Sequence, residues 1–495
     1  MADRPNVLVI MTDQQKATAS HLYGNSFCET PSMERLANEG VLFEHAITPH
    51  PLCVPARVAF WTSRFPHANG SRRNETLMPA GAEHAFRLWK EAGYRTGLIG
   101  KNHCFKREED LQLFDVWCAF THGGRAEMPE TWGMDWFRPE AGRNAVKERV
   151  QGMKSQSPRF GYATTDLPLE DHSTGLIAGQ AVRFLEQSKD EPFALWVSFP
   201  DPHEPWIVPE QYAAMFPQEK IELPPWRERE FAGEEVPERN RVLYEMLGME
   251  EDALDDVCGV MGVYHGMVRF IDDGLGQILD ALERLGLRED TIVVFCADHG
   301  DFMGEHRMAC KGGVFYDCLT RVPLILSWPG QVAEGERDGS LVNLVDVVPT
   351  LLQLQGMEAP CSMQGEGLPT VTDEASREAT FSEYGAGGPP FGMEDLEKLE
   401  KPYGRRGLIR SLQWREAEGR RKMVRTRAWK YVHDSMGDRD ELYDLKNDPW
   451  ELVNVVGDPG NAGVVSEMRL RLADWSIDTE DAPPVPLPAG DRYDL

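Results

Sequence analysis

The stretch IDDGLGQILDALERLGLREDTIVVFCADHGD, residues 271–301, decides the fold. It reads as a helix, a glycine-containing turn, a β-branched strand over Thr291–Phe295, and then a polar end, ADHGD. The same form recurs upstream. TPSMERLANEGVLFEHA (30–46) has Thr30 to cap a helix, Pro31 for its first turn and Gly40 to stop it before a strand. HAFRLWKEAGYRTGLIGKNH (84–103) and GQAVRFLEQSKDEPFALWVSFPDPHEPW (179–206) each run helix, strand, polar residues. NVLVIM (6–11) is an apolar run suited to a strand buried on both faces, and TDQQ follows it. RVPLILSWPG (321–330) and LVNLVDVVPTLLQLQG (341–356) supply further strands and a helix.

Such alternation predicts an α/β fold with a large, mostly parallel sheet sandwiched by helices. From about residue 371 the texture changes. RKMVRTRAWKYVHD and ELYDL alternate like antiparallel strands, and VVSEMRLRLADWSI reads as a helix. The expected division is a catalytic domain over 1–370 and a smaller α+β subdomain with a short antiparallel sheet over 371–495. The Pro-rich tail DAPPVPLPAGDRYDL reads as extended.

The chain has 495 residues, enough for that pair of units. Its 81 acidic against 52 basic residues leave a net charge of −29, which repels phosphate backbones and anionic lipid. Neither nucleic acid nor a membrane is an expected partner, and an anionic substrate would need local cations or a metal. The nine cysteines contain no CxxC pair, which argues against a disulfide framework and for a reducing compartment. No apolar stretch approaches the ~20 residues of a membrane span. The start MADRPNVLVIMTDQQ lacks the pattern of a signal peptide, so the expectation is a cytoplasmic protein.

TDQQ, GKNH, PDPHEP and ADHGD each follow a strand-like run. In open α/β sheets the carboxyl ends of the strands form the ligand crevice, so four distant segments are expected to converge. Asp13 with Asp298 and His299 suits a divalent cation, and Gln14 offers an amide oxygen. An all-oxygen set suits calcium or magnesium, whereas one imidazole nitrogen moves the balance toward manganese. Lys101 and Lys311 suit a compact anion, and His103 and His203 suit donation to it or to a leaving oxygen. Taken singly, each of these residues reads as well as a turn, surface or core residue.

Cys53 lies in PLCVPARVAFWTSR (51–64), with Pro55 at a helix entry and Arg57 one turn on. Locally it suits a buried structural thiol, a metal ligand, a thiolate nucleophile or the precursor of another group. No neighbouring histidine supplies the base of a cysteine hydrolase.

The chain resembles the sulfatase family of the alkaline-phosphatase-like superfamily. CVPAR matches the signature C-x-P-x-R. PNVLVIMTDQQ, TPSMERLANEGVLFEHA, GYRTGLIGKNH, SFPDPHEPW, ADHGDFMGEHRMACKGGVFYDCLTRVPLI, DVVPTLL and ELYDLKNDPWELVNV follow in family-like order. The resemblance implies that Cys53 is oxidised to formylglycine by a formylglycine-generating enzyme. The aldehyde's hydrate attacks sulfur with one hydroxyl and expels sulfate with the other. It further implies a metal shell of Asp13, Asp298, His299 and the modified Cys53, with Gln14 as a further ligand. Arg57 would hold the diol or a metal-side carboxylate, Lys101 and Lys311 would clamp the sulfuryl oxygens, His103 would orient the diol and His203 would protonate the leaving oxygen. Asn74, in RRNETL, falls where some relatives place an amide against the substrate.

Asp13–Gln14 and Asp298–His299 stand where many sulfatases have Asp–Asp and Asp–Asn, and Ser63 stands for the usual glycine after Thr62. The first two changes resemble phosphonate monoester hydrolases and choline-sulfatase-like enzymes, and favour manganese beside calcium. The lysine and histidine of GKNH instead resemble enzymes of sulfate esters. The expected function is hydrolysis of a small or sugar-linked sulfate ester, an arylsulfatase-type activity. The alternative is phosphonate monoester or phosphodiester hydrolysis on the same site, and a lesser one is a binding protein with an unmodified Cys53. Loops 105–165 and 205–250 are expected to set specificity, with Trp132, Trp136, Trp206 and Trp226 able to stack on a sugar. The sequence is equally compatible with a monomer or an oligomer.

Overall fold

The computed structural model of the chain describes residues 4–74, 76–105, 108–120, 161–249, 254–372, 374–387, 392–397 and 419–480. Its centre is a nine-stranded sheet. The main strands are β1 (Asn6–Asp13), β2 (Gly40–Ile47), β3 (Arg95–Lys101), β4 (Val116–Phe120), β5 (Phe193–Pro202), β6 (Thr291–Ala297), β7 (Leu324–Ser327) and β8 (Glu336–Asn343). Their order is β2-β7-β6-β1-β5-β3-β4, with β8 and the short Arg321–Val322 also on β2. β6, β1, β5, β3 and β4 pair in parallel, and β7 runs antiparallel to both its neighbours.

Every residue of β1 is buried, as the apolar run requires of a central strand. The period of two sends Val7, Val9 and Met11 to one face and Leu8 and Ile10 to the other. On the first face they meet Trp61 of α2 (Cys53–Thr62), Phe86 and Trp89 of α3 (Ala85–Glu91) and Val348. On the second they meet Leu36 of α1 (Pro31–Asn38), Phe184 of α4 (Ser173–Ser188), and Leu275 and Ile278 of α5 (Leu254–Arg284).

Several expectations change. Thr30 makes no capping hydrogen bond. Asp272 of α5 caps α1 instead, accepting from Ser32 N at 2.9 Å and Met33 N at 2.8 Å, while Thr30 Oγ1 is engaged by Ser20 Oγ. Gly40 is not a left-handed helix stop but the first residue of β2. A Cβ there would lie 2.3 Å from Leu326 O, so glycine permits the close approach of β7. α5 is far longer than its quoted half, and residues 205–250 hold the ten-residue helix Glu238–Leu247 rather than loop alone.

A second, antiparallel sheet follows, of β9 (Thr380–Tyr384), β10 (Arg421–Arg425), β11 (Trp429–Asp434) and β12 (Glu441–Asp444). With the helix α6 (Ala462–Asp478) it buries Val424, Tyr431, Leu442 and Trp475 against Ala59, Phe65 and Val345 of the first layer. The tail after residue 480 lies outside the described residues, as do Trp132 and Trp136. Among the described residues no helix is long and apolar enough to cross a membrane.

Candidate active site

The carboxyl ends of β1, β3, β5 and β6 carry Asp13, Lys101, the segment to His203, and Asp298–His299. The strand ends are tied together. Asp298 N donates to Thr12 O at 3.1 Å, and Gln14 N returns to Asp298 Oδ1 at 3.1 Å. Gln14 has a φ of 66°, the left-handed turn that takes the chain off β1. Thr48 Oγ1 donates to Asp298 O at 2.6 Å and so anchors the loop that leads into α2.

Cys53 is the first residue of α2, whose ten residues are all buried. Asp13, Cys53, Asp298 and His299 each offer one ligand atom, and these atoms lie within 4.8 Å of one another. Cys53 Sγ is 3.1 Å from His299 Nε2 and 3.5 Å from Asp13 Oδ1. His299 Nδ1 donates to Gly300 O at 2.8 Å, which turns Nε2 toward the cluster. Two carboxylates and one oriented imidazole nitrogen, all buried, fit a divalent cation.

Three cations close on the same point. Lys311 Nζ reaches Gln14 Oε1 at 2.7 Å and Cys53 Sγ at 3.0 Å. Lys101 Nζ pairs with Asp13 Oδ2. Arg57 Nε donates to Asp298 Oδ2 at 2.8 Å, and its Nη1 to Ser198 Oγ at 2.8 Å and Lys101 O at 3.0 Å. Arg57 therefore binds the carboxylate, one of the two roles the resemblance implied.

Burial alone would push the Cys53 thiol up. Lys101, Lys311 and His299 outweigh it, with a hydrogen bond from His103, and hold it well below the usual thiol range. Burial also opposes the Asp298 carboxylate, yet His299 and Arg57 keep it below the carboxylate range. For Lys311, burial is overcome by Cys53, Asp13 and Glu204, which raise it. The position of the sulfur is thus a point where negative charge is strongly favoured, and the helix N-terminus adds to this.

His203 stands at the edge: its Nδ1 donates to Glu204 O at 2.7 Å and is 3.1 Å from Glu204 Oε2. Asn74 Oδ1 accepts from Val54 N at 3.0 Å, at the start of α2. Ser63 takes the left-handed φ of 52° at the far end of α2 and spends its hydroxyl on Val345 O at 2.7 Å. Trp206 packs in the core, which leaves it no open ring face, and Trp226 is half-buried, with Tyr244 stacked on its ring and the Arg307 guanidinium 4.4 Å from its centroid.

Sequence reasoning missed three neighbours. Glu204 Oε2 lies 3.5 Å from Gln14 Nε2 and its charge acts on Lys311. Ser198, inside β5, orients Arg57. Asp301 is fully buried; burial first, and then the charge of Glu204, hold its carboxyl well above the usual range against a hydrogen bond from Gln14. Glu204 and Asp301 lay within the quoted PDPHEP and ADHGD; nothing in the alternation singled out Ser198.

Residues 5–357 match the family Sulfatase. An uncharacterized sulfatase, YidJ, of Escherichia coli K12 is 30% identical, over 95% of this chain and 87% of that protein. The choline-sulfatase of Rhizobium meliloti is 27% identical over 97% of this chain and 88% of its own. The crystal structure of a phosphonate monoester hydrolase of Agrobacterium radiobacter superposes with a TM-score of 0.78 at 25% identity, covering 96% of both chains.

Proposed function

The chain belongs to the sulfatase family, and from that premise we propose that it hydrolyses sulfate esters at the cluster around Cys53. The observation that carries this reading is the convergence of metal-ligand atoms and of the Lys101 and Lys311 charges on one cysteine at a helix start, with Arg57 holding Asp298 beside it. Asp13, Asp298 and His299 would hold a divalent cation, with Gln14 Oε1 as a further donor, and the imidazole favours manganese over an all-oxygen ion. The cation supplies Lewis acidity, and formylglycine, made from Cys53 by a formylglycine-generating enzyme, supplies a hydrated aldehyde as nucleophile.

The remaining work falls to side chains. Lys101 and Lys311 bind the sulfuryl oxygens and stabilise the charge that grows on them. Arg57 holds Asp298 in place through Nε, and Ser198 and the Lys101 carbonyl hold Arg57. His103, bonded to the Cys53 sulfur, orients the group at that position. His203 spends Nδ1 on Glu204, so Nε2 is the nitrogen that faces the leaving oxygen and gives it a proton. Asn74 fixes the α2 entry that carries the nucleophile. Residues 1–370 carry all of these groups, and the described residues of 371–495 belong to the smaller unit packed beside them.

The second reading is phosphonate monoester or phosphodiester hydrolysis, favoured by the structural likeness to the Agrobacterium enzyme and by Gln14 and His299. Both ester classes present tetrahedral anions to the same cations. Comparison of kcat/KM on an aryl sulfate and an aryl phosphonate monoester tests the choice. The sulfate is expected to be preferred; a clear preference for the phosphonate would overturn the first reading.

A further inference from the structure

Directly after β5 come His203 and Glu204. A glutamate on a loop ordinarily turns its carboxylate to water. The Glu204 side chain is only 31% exposed, and its Oε2 turns inward. That one oxygen lies 3.1 Å from His203 Nδ1 and 3.5 Å from Gln14 Nε2. Gln14 Oε1 accepts from Lys311 Nζ at 2.7 Å, and Lys311 Nζ is 3.0 Å from Cys53 Sγ. Glu204 therefore stands between the candidate acid and a clamp on the nucleophile.

One orientation of the Gln14 amide suits both of its neighbours. A lysine ammonium only donates and a carboxylate only accepts, so Oε1 faces Lys311 and the NH2 group faces Glu204. Gln14 thereby keeps the carboxylate turned to the site. The His203 ring has a use for it there. His203 Nδ1 donates to Glu204 O at 2.7 Å, so that nitrogen keeps its hydrogen. A ring held this way can give a proton from Nε2 only when both nitrogens carry one, and it is then a cation. The neutral carbonyl fixes the direction of the ring but does nothing for its charge. Glu204 Oε2, at 3.1 Å from Nδ1, supplies the opposite charge.

We propose that Glu204 is a positioning residue for the general acid, its carboxylate the counter-ion of the His203 cation that protonates the leaving oxygen. The inference rests on the sulfatase reading. As the S–O bond breaks, its electron pair stays on the leaving oxygen, which takes the Nε2 proton. His203 becomes neutral, and its Nδ1 hydrogen stays on the Glu204 carbonyl. The demand for that proton grows with the basicity of the leaving oxygen, so the demand for the carboxylate grows with it.

The experiment follows aryl sulfates of graded leaving-group pKa with matured wild type, Glu204→Gln, Glu204→Ala, Glu204→Asp, His203→Ala and the double variant His203→Ala/Glu204→Gln. Glu204→Gln keeps the length of the side chain and removes its charge. With the poorest leaving group it should lower kcat and kcat/KM together by about 10-fold, a part of the roughly 10²-fold or more that the acid itself supplies. The loss should shrink as the leaving group improves, so the plot of log kcat against leaving-group pKa steepens. Glu204→Ala, which also lacks the charge, should steepen it alike, and Glu204→Asp, which keeps the charge, should lie nearer wild type. In the His203→Ala background, Glu204→Gln should no longer alter the slope. No loss, an equal loss across the series, or a slope change that persists without His203 would overturn the assignment and leave the sulfatase reading standing. Absence of turnover on every sulfate ester by matured wild type would overturn the sulfatase reading and the assignment with it.

Discussion

Two clusters of charge are drawn into this protein, one around Cys53 and one around Asp317, and they are built from the same residue types to different ends. At Asp317 the charges close on each other. Arg425 donates to both carboxylate oxygens, at 3.1 and 2.9 Å. Lys430 Nζ reaches Asp317 Oδ1 at 2.6 Å, Glu451 Oε1 at 2.5 Å and Phe315 O at 2.7 Å. Two bases meet two acids, and the result ties β10 and β11 to the main body. Burial would push Asp317 up, but Arg425 and Lys430 hold it well below the carboxylate range. Around Cys53 two pairs also close, Arg57 on Asp298 and Lys101 on Asp13, but Lys311 and His299 point at the sulfur and the charges of Lys101 and Lys311 act on it. Mutual pairing makes the first cluster a joint. Cations aimed at a single sulfur, rather than wholly spent on carboxylates, make the second a receptor for an ion and an anionic group.

The sharpest way to break that contrast is at the nucleophile. Cys53→Ala should abolish turnover, by on the order of 10⁴-fold or more, while leaving the melting temperature near wild type. Substantial residual turnover would return Cys53 to the rank of a packing residue. Next, Lys311→Ala should lower kcat/KM on every substrate by on the order of 10²–10³-fold, as loss of one donor to a developing oxyanion does. His203→Ala should cost about 10²-fold or more with poor leaving groups and little with a p-nitrophenolate leaving group, read from a plot of rate against leaving-group pKa. Equal losses across the series would remove the acid role. At the other cluster, Lys430→Met leaves Asp317 and Glu451 undercompensated and should cost about 3–5 kcal/mol of stability by denaturant titration. Its kcat should stay near wild type, since Lys430 touches neither the metal ligands nor the sulfur; a large fall would mean the two clusters are coupled.

The sequence made the catalytic layer legible because each strand announces its end. TDQQ, GKNH, PDPHEP and ADHGD sit after apolar runs, and a parallel sheet has one carboxyl edge on which to gather them. Cys53 could not be read this way, since His50, three residues before it, spends its Nδ1 on Leu52 N, and Cys53 itself opens a helix rather than ending a strand. Its partner His299 is 246 residues away and becomes a neighbour only when β6 docks beside β1. The Asp272 cap on α1 and the Ser198 support of Arg57 were invisible for the same reason: both bonds cross long stretches of chain. Gly40 misled because a glycine after a helix usually stops it, whereas here the nearness of β7 demands the missing side chain.

The account turns on what occupies position 53 in the active protein. Expressed in a host able to mature it, the protein should yield a residue 50–60 region whose mass shows the CH2SH side chain of Cys53 converted to an aldehyde, and activity should scale with the converted fraction. Fully active protein in which peptide mass spectrometry finds only unmodified cysteine at position 53 would contradict it.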